Sequence, residues 1–169
     1  PFMFFISVFY IVLYKYSSQT KIIIGTPTIG RNMQEVSNIV GMFVNTMVLE
    51  QNINVKSKFI DFVKDVKENL LKDFEHQDYP FSKLVNKLDK DYDKSHSPIF
   101  DILFSYENNG LPNLSFKDLQ SEIYIPNNKY SKFDLTFEIT PINSSYQIRL
   151  EYCTKLFSKK YIENLFKFY

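Results

Sequence analysis

The residues best suited to covalent chemistry are Cys153, the only cysteine, and the two histidines, His76 and His96. A thiol and an imidazole act as a nucleophile and base when the imidazole can take the thiol proton. Cys153, however, follows an alternating strand pattern, and neither histidine lies in a recognisable catalytic motif. One cysteine and two histidines also fall short of a zinc site without help from carboxylates. We therefore predict no catalytic residue, no metal ligand and no internal disulfide in this chain.

The string GTPTIG, from Gly25 to Gly30, is the one place where a phosphate-binding loop can be considered. A P-loop ends in Gly-Lys-Ser/Thr, and a dinucleotide-binding turn has the spacing GxGxxG; this string has neither. Gly25, Pro27 and Gly30 are instead predicted to break regular structure in a tight turn.

Composition excludes several classes of protein. Of the 169 residues, 44% are hydrophobic and 23% charged, which is typical of a globular domain and argues against disorder. The net charge is +1, and lysines alternate with acids, as in Lys64-Asp65 and Lys67-Glu68. A nucleic-acid partner requires uncompensated basic charge, so none is predicted.

The start of the chain, PFMFFISVFYIVLY, is an uncharged run of fourteen residues. It is shorter than the roughly 20 residues that a membrane-spanning helix needs, and no basic region precedes it. We predict a buried helix to about Tyr16 and no membrane partner. The chain begins at Pro1 without an initiator Met and ends in the apolar pattern Leu165–Tyr169. We therefore expect a single domain, residues 1–169, truncated at both ends.

The first half of the chain has the spacing of alternating strands and helices. Lys21–Gly25 is predicted to be a strand buried on both faces, and Gly41–Leu49 a second strand. Apolar residues at helical spacing predict a long helix over Lys58–Phe74, capped by Ser57. A shorter helix is predicted over Phe81–Leu88, with Pro80 at its start.

The second half changes to the two-residue period of strands. Ile99–Tyr106 is predicted to be a strand, and residues 133–139 and 146–152 a hairpin joined by Pro141–Ser145. A final helix is predicted to start near Ser158 and to bury Ile162, Leu165 and Phe166. This order predicts an α/β fold, an α+β sandwich in which helices pack on a mixed sheet.

Five strings of residues occur in an order and at a spacing that resemble one enzyme family. They are IIIGTPTIGRN at 22–32, IVGMFVNTMVL at 39–49, HQDYPFSKLVNKL at 76–88, SPIFDILFSYEN at 97–108 and KFDLTFEI at 132–139. Together they resemble the condensation domain of nonribosomal peptide synthetases, over nearly the whole chain.

The resemblance implies one lobe, the C-terminal one, of a two-lobed fold similar to chloramphenicol acetyltransferase. Such domains join an upstream acyl or peptidyl thioester to the amine of a downstream aminoacyl thioester, in a tunnel between the lobes. No bound cofactor is implied, because both substrates are carried on the phosphopantetheine arms of carrier proteins. The family's catalytic HHxxxDG motif belongs to the N-terminal lobe, and its second histidine positions or deprotonates the amine. This chain has no His-His pair and is expected to be inactive alone.

Two residues are implied to support function. Arg31 matches the arginine that pairs with the aspartate of HHxxxDG, where a bidentate contact holds the motif loop; the alternative is a solvated arginine beside a turn. Asn45 matches an asparagine near the tunnel, where its amide orients substrate or the channel floor, or only caps a turn.

Other family segments are implied to be structural or to cross between lobes. His76–Pro80 is expected to end the long helix and set up the next. Residues 109–129 match the latch that covers the tunnel, so Ile123 and Ile125 are expected to lie away from the core of this lobe. Gly30–Asn38 is expected to cross along the tunnel floor. Tyr92–Ser97 departs from the family, because it lacks two arginines usual there.

Two functions follow from this resemblance. The first is part of an amide-forming acyltransferase, which works with its N-terminal lobe, donor and acceptor carrier proteins and an adjacent adenylation domain in the cytoplasm. The second is a non-catalytic lobe of a degenerate condensation domain that only docks carrier proteins. The presence of HHxxxDG upstream of Pro1 distinguishes them.

Overall fold

The structure is a computed structural model that describes residues 1–88, 97–108, 116, 119 and 130–169. Within these residues, five strands form one sheet with the order β2-β1-β3-β4-β5. The strands are β1 (Lys21–Thr28), β2 (Asn45–Asn52), β3 (Ile102–Tyr106), β4 (Leu135–Ile142) and β5 (Ser145–Tyr152). The helices in the described part are α1 (Phe2–Ser17), α2 (Phe59–Glu75), α3 (Phe81–Leu88) and α4 (Lys159–Phe168).

The sheet is mixed, as predicted. β1, β3 and β4 run parallel at its centre, while β2 and β5 pair antiparallel at the two edges. The parallel strands therefore end at the same side of the sheet, at Thr28 and Tyr106 in β1 and β3. This arrangement decides where the candidate site lies.

The apolar start of the chain forms the centre of the core, which confirms the predicted buried helix. Ile6, Phe9 and Tyr10 of α1 are fully buried against the sheet. The ring centroid of Phe9 lies 5.4 Å from that of Phe104 and 4.7 Å from that of Phe137. Offset and edge-on aromatic pairs of this kind stabilise a core beyond simple burial. Among the described helices, none is long and apolar enough to cross a membrane.

The first strand extends further than predicted. β1 continues through Gly25 and Pro27, so the expected tight turn is wrong. β1 pairs with β2 along its whole length, whereas its register with β3 is at Gly25 and Leu103. Because Pro27 lies beyond that pairing with β3, its missing N–H removes few inter-strand hydrogen bonds. Gly25 is required by a close approach: a Cβ there would lie 2.2 Å from the Phe100 ring.

Several element boundaries also differ from the prediction. β2 starts at Asn45 because residues 29–44 form a loop around a short 3-10 helix, Gln34–Val36. Ser57 does not cap α2; its hydroxyl donates to the Asn54 carbonyl at 2.7 Å, and the N-cap is Lys58. β3 starts only at Ile102.

The C-terminal elements follow the prediction more closely. The hairpin of β4 and β5 is confirmed, but Asn143 and Ser144 alone join the strands, with Asn143 at a φ of 52°. The Ser158 hydroxyl caps α4 by accepting the Tyr161 N–H at 3.2 Å. Ile162 and Leu165 are buried as expected, whereas Phe166 is exposed. Residues 109–115, 117–118 and 120–129 of the predicted latch, with Ile123 and Ile125, lie outside the described residues, as does most of Tyr92–Ser97.

Candidate functional site

A cleft of about 810 Å³ opens at the carboxyl ends of β1 and β3. Ligand sites in sheets with parallel strands commonly lie at this end, because loops leave the sheet there and a crevice remains between them. The hydrogen-bonding side chains that line the cleft are Thr26, Thr28, Arg31, Asn32, Gln77, Ser105, Tyr106, Glu107 and Asn108. Phe2, Pro27, Ile29, Val44 and Phe74 are among its apolar walls.

Buried hydroxyl groups occur along the strands that border the cleft. Thr26, Thr28 and Ser105 are each more than nine-tenths buried. The Thr28 hydroxyl has no hydrogen-bond partner within the described part of the chain. The Ser105 hydroxyl lies 3.5 Å from a carboxylate oxygen of Glu107. A buried polar atom without a partner costs free energy, so Thr28 marks a place where a bound group could supply a hydrogen bond.

The described lining of the cleft contains no histidine and no cysteine. Its ionisable side chains are Arg31, Tyr106 and Glu107, which can bind and orient a ligand. The cleft therefore has the groups of a binding surface.

Arg31 lies at the cleft and binds the loop that follows β1. Its guanidinium donates to the Val36 carbonyl, to the Ile39 carbonyl at 2.8 Å and to the Gly41 carbonyl at 3.1 Å. The guanidinium carbon also lies 4.3 Å from the centroid of the Phe43 ring, a cation–π contact. Arg31 is thus neither a freely solvated side chain nor, among the described residues, part of an ion pair. Its pairing with an aspartate of HHxxxDG remains a prediction.

Asn45 connects the start of β2 to the segment between α2 and α3. Its amide nitrogen donates to the carbonyls of Gln77 and Tyr79 at 2.8 and 2.9 Å. Its amide oxygen accepts the Phe81 N–H at 3.2 Å, at the start of α3. Both amide hydrogens are therefore used by the backbone. Of the roles proposed for Asn45, this geometry corresponds to capping, and a direct substrate contact remains a prediction.

His76–Pro80 forms the connection that Asn45 binds. α2 ends at Glu75 and α3 begins at Phe81, which confirms the structural role predicted for this string. The Asp78 carboxylate accepts a hydrogen bond from the Asn32 amide at 2.7 Å. Three of the five family strings thus meet here, through Asn32, Asn45 and Asp78.

Cys153 and His76 are far apart. Cys153 follows the edge strand β5, whereas His76 borders a second cleft beside the opposite edge strand β2. Four inter-strand spacings of about 4.8 Å separate these strands. No cluster of residues that could hold a metal occurs in the described part of the chain, and His96 lies outside it.

Burial shifts the pKa of Tyr10 in α1 and of Asp73 in α2. It raises the pKa of the Tyr10 phenol, and the nearby acids Asp73 and Glu50 raise it further. Burial also raises the pKa of the Asp73 carboxyl, with Glu50 adding to the shift and His76 opposing it. Tyr10 belongs to the core, so the shift of its pKa reflects packing.

Sequence reasoning missed Thr28, Ser105, Asn32 and Asp78. The signal that points to Thr28 is the alternation of Thr26 and Thr28 with Pro27, which is the pattern of a strand. The interpretation of Gly25 and Pro27 as strand breakers obscured this pattern.

The fold and the cleft define an α/β lobe that presents a binding surface at the carboxyl ends of its parallel strands. The family model for the condensation domain matches residues 2–169, so the chain belongs to the condensation domain family. Gramicidin S synthase 2 of Brevibacillus brevis is 38% identical over 164 residues, which cover 97% of this chain and 4% of that protein. The chain therefore spans a small part of the relatives it matches.

Solved structures support the same assignment. The four-domain nonribosomal peptide synthetase holo-AB3403, bound to AMP and glycine, superposes with a TM-score of 0.87 and 26% identity. The match covers 98% of this chain and 14% of that one. The starter condensation domain of the rhizomide synthetase RzmA shares the fold with a TM-score of 0.80, at 16% identity, over 98% of this chain and 39% of that chain.

Proposed function

We propose that this chain is the C-terminal lobe of a condensation domain that forms amide bonds between thioester substrates in nonribosomal peptide synthesis. The observation that carries the proposal is the family match over residues 2–169, with the cleft at the carboxyl ends of β1 and β3. The similarity to peptide synthetases favours this function over a lobe that only docks carrier proteins.

In this proposal the cleft forms one wall of the tunnel between two lobes of a chloramphenicol acetyltransferase-like fold. Thr28, Ser105 and Asn32 offer hydrogen bonds to a substrate arm, while the HHxxxDG histidine of the other lobe orients or deprotonates the attacking amine. The amine nitrogen bonds to the thioester carbonyl carbon, and the carrier thiol leaves with a proton. The chain holds its substrates close together and contributes no base.

The proposed partners are the N-terminal lobe of the same domain, the donor and acceptor carrier proteins and an adenylation domain. The substrates arrive on the phosphopantetheine arms of the carriers, so no bound cofactor is proposed. We place the assembly in the cytoplasm.

The experiment uses the intact condensation domain of the parent protein. Donor and acceptor carrier proteins are loaded with aminoacyl thioesters, and the expected product is a dipeptidyl thioester on the acceptor carrier, detected by mass spectrometry. The control replaces the second histidine of the upstream HHxxxDG by alanine, which should abolish the product. An upstream lobe without HHxxxDG, with carriers that bind but yield no product, would support the docking function.

A further inference from the structure

A second cleft, of about 650 Å³, runs along the outer side of strand β2. Thr46, Met47 and Val48 of that strand line it. β2 is the first strand in the order of the sheet, so no further strand pairs with its outer side among the described residues. Unpaired N–H and C=O groups along such an edge can pair with an additional strand. We call this cleft the edge groove.

The register of β1 and β2 shows which backbone groups point into the edge groove. The Ile53 N–H donates to the Thr20 carbonyl at 2.7 Å, so these two residues form a hydrogen-bonded pair at the end of the ladder. Hydrogen-bonded and non-hydrogen-bonded pairs alternate along an antiparallel ladder. Thr46, Val48 and Glu50 therefore occupy non-hydrogen-bonded pairs with β1. Their N–H and C=O groups point away from β1, towards the free edge.

The edge groove lies between two helices on opposite faces of the sheet. α2 packs on the face that contains Ile24. α3 lies on the other face, where the ring centroid of its Phe81 is 5.6 Å from that of Phe100. Alternate side chains of an extended strand point to opposite faces of a sheet. A strand added to β2 would therefore present its side chains to α2 and α3 in turn.

The two walls of the edge groove carry opposite charges. The α2 wall contributes the carboxylates of Asp73 and Glu75, and the α3 wall contributes the ammonium groups of Lys83 and Lys87. The two lysines are one helical turn apart and share a face of α3. Within the described part of the chain, none of these four side chains takes part in an ion pair. Both walls can therefore pair with the charges of a ligand.

The α2 wall favours a cation for two further reasons. The carboxyl end of a helix carries a partial negative charge, and this wall lies at the end of α2. Burial raises the pKa of the Asp73 carboxyl against the opposing effect of His76, and Glu50 adds to the shift. A basic side chain beside Asp73 would stabilise the carboxylate. This wall therefore suits Lys or Arg.

We propose that the edge groove binds an extended peptide segment of a partner polypeptide, which pairs with β2 and carries basic and acidic side chains at alternate positions. The basic side chains face Asp73 and Glu75, and the acidic ones face Lys83 and Lys87. In strand addition of this kind, the backbone hydrogen bonds supply affinity and the flanking side chains supply specificity.

The shape of the edge groove favours a single peptide over a second copy of this chain. In each copy, α2 and α3 flank the edge of β2, so two such edges would bring four helices into collision. Among the described residues, the edge groove shares none of its lining with the cleft at the carboxyl ends of β1 and β3. The inference therefore goes beyond the proposed reaction and does not depend on it.

The first test titrates two capped peptides of equal composition into the intact condensation domain. Thr-Lys-Glu-Lys-Glu-Thr places both lysines on one face of a strand and both glutamates on the other, whereas Thr-Lys-Lys-Glu-Glu-Thr mixes them on each face. The alternating peptide should bind about 5-fold more tightly, because only its charges match both walls. Equal affinity for the two peptides, or no binding of either, would overturn the proposal.

The second test reverses the charge of the α3 wall. The double variant Lys83→Glu with Lys87→Glu should bind the alternating peptide about 10-fold more weakly, since its glutamates would then face like charges. The matched control is Lys155→Glu with Lys160→Glu, two exposed lysines outside the edge groove. This control should bind as the unmodified domain does. The same loss of affinity in both double variants would contradict a site at α3.

The third test identifies the strand pairing by amide hydrogen exchange in the intact domain. The saturating alternating peptide should slow exchange of the Thr46 and Val48 amides at least about 3-fold, because these N–H groups gain an acceptor. The Met47 amide, which already faces β1, serves as the internal control and should be unaffected. Unchanged exchange at Thr46 and Val48 under saturation would refute strand addition.

The exchange rates without peptide are equally decisive. Thr46 and Val48 amides that are already protected in the free domain would show that the edge is covered by a second copy or by the domain itself, and the proposal would be wrong. A domain that binds the alternating peptide yet makes no dipeptidyl thioester would contradict the proposed reaction and leave this inference intact.

Discussion

At the scale of single residues, polar side chains of the family strings bind the backbone of this lobe. Asn45 binds the carbonyls of Gln77 and Tyr79, and Arg31 binds carbonyls of its own loop. Buried or half-buried backbone groups in irregular segments need such partners, because no regular helix or strand pairs them. These residues thus fix the shape of the segments around the cleft.

Replacing Asn45 by alanine should destabilise the intact condensation domain by about 2 kcal/mol, since several net hydrogen bonds of about 1 kcal/mol each are lost. The measurement is urea unfolding, with Asn52→Ala, at the exposed other end of β2, as the control. Unfolding at the same urea concentration as the unmodified domain, together with lost condensation, would instead indicate that Asn45 contacts the substrate.

At the scale of elements, β1 explains why the cleft exists. The strand continues past Gly25 to Thr28, three residues beyond its register with Leu103, and β3 likewise continues three residues beyond Leu103 to Tyr106, so the two strands end side by side at the cleft. The missing side chain at Gly25 allows the Phe100 ring to lie against the backbone, and Phe100 also contacts the rings of Phe81 and Phe133. This aromatic cluster connects β1 to α3 on the sheet side away from Ile24.

Gly25→Ala should therefore destabilise the domain by about 2 kcal/mol, because the added methyl group overlaps the Phe100 ring. Gly41→Ala is the matched control, since a Cβ there would lie 3.4 Å from its nearest neighbour, the Phe43 ring. Thermal unfolding measures both. The double variant Gly25→Ala with Phe100→Leu should recover part of the loss; a double variant less stable than the sum of the single effects would contradict this explanation.

At the scale of the whole molecule, helices α1, α2 and α4 share one core cluster with the sheet. The loop of residues 29–44 lies outside that cluster, with Val40 and Met42 almost fully exposed. In the proposed two-lobed arrangement, the described residues form one wall of the neighbouring cleft. In the part of the chain that the structure describes, a well-packed centre thus stands beside a loop of exposed apolar side chains.

Expressed alone, the 169-residue chain should be poorly soluble and inactive towards carrier-bound thioesters, since apolar side chains of residues 29–44, such as Val40 and Met42, are exposed to solvent. Size-exclusion chromatography and the dipeptidyl thioester assay test the two expectations. Val40→Asp should improve the solubility of the isolated chain, because it replaces a fully exposed apolar side chain by a charged one. A monodisperse monomer that forms the product would contradict the prediction.

Sequence patterns were sufficient to predict the elements whose evidence is local. The apolar start predicted a buried helix, the helical spacing from Phe59 predicted α2, and the alternating pattern after Phe133 predicted the hairpin of β4 and β5. Each of these patterns lies within a single helix or hairpin and arises from the burial of that element's side chains. The five colinear strings likewise identified the family, because their order survives in the linear chain.

Which side chains meet across the fold depends on contacts between segments that are distant in the sequence. Asn45 reaches partners more than thirty residues away, at Gln77 and Tyr79, and Arg31 finds carbonyls in a loop without any periodic pattern. Gly25 and Pro27 are strand breakers by local preference, yet the Phe100 ring and the pairing with β2 hold them in a strand. Local preferences amount to about 1 kcal/mol per residue, so the packing and hydrogen bonds of distant segments override them.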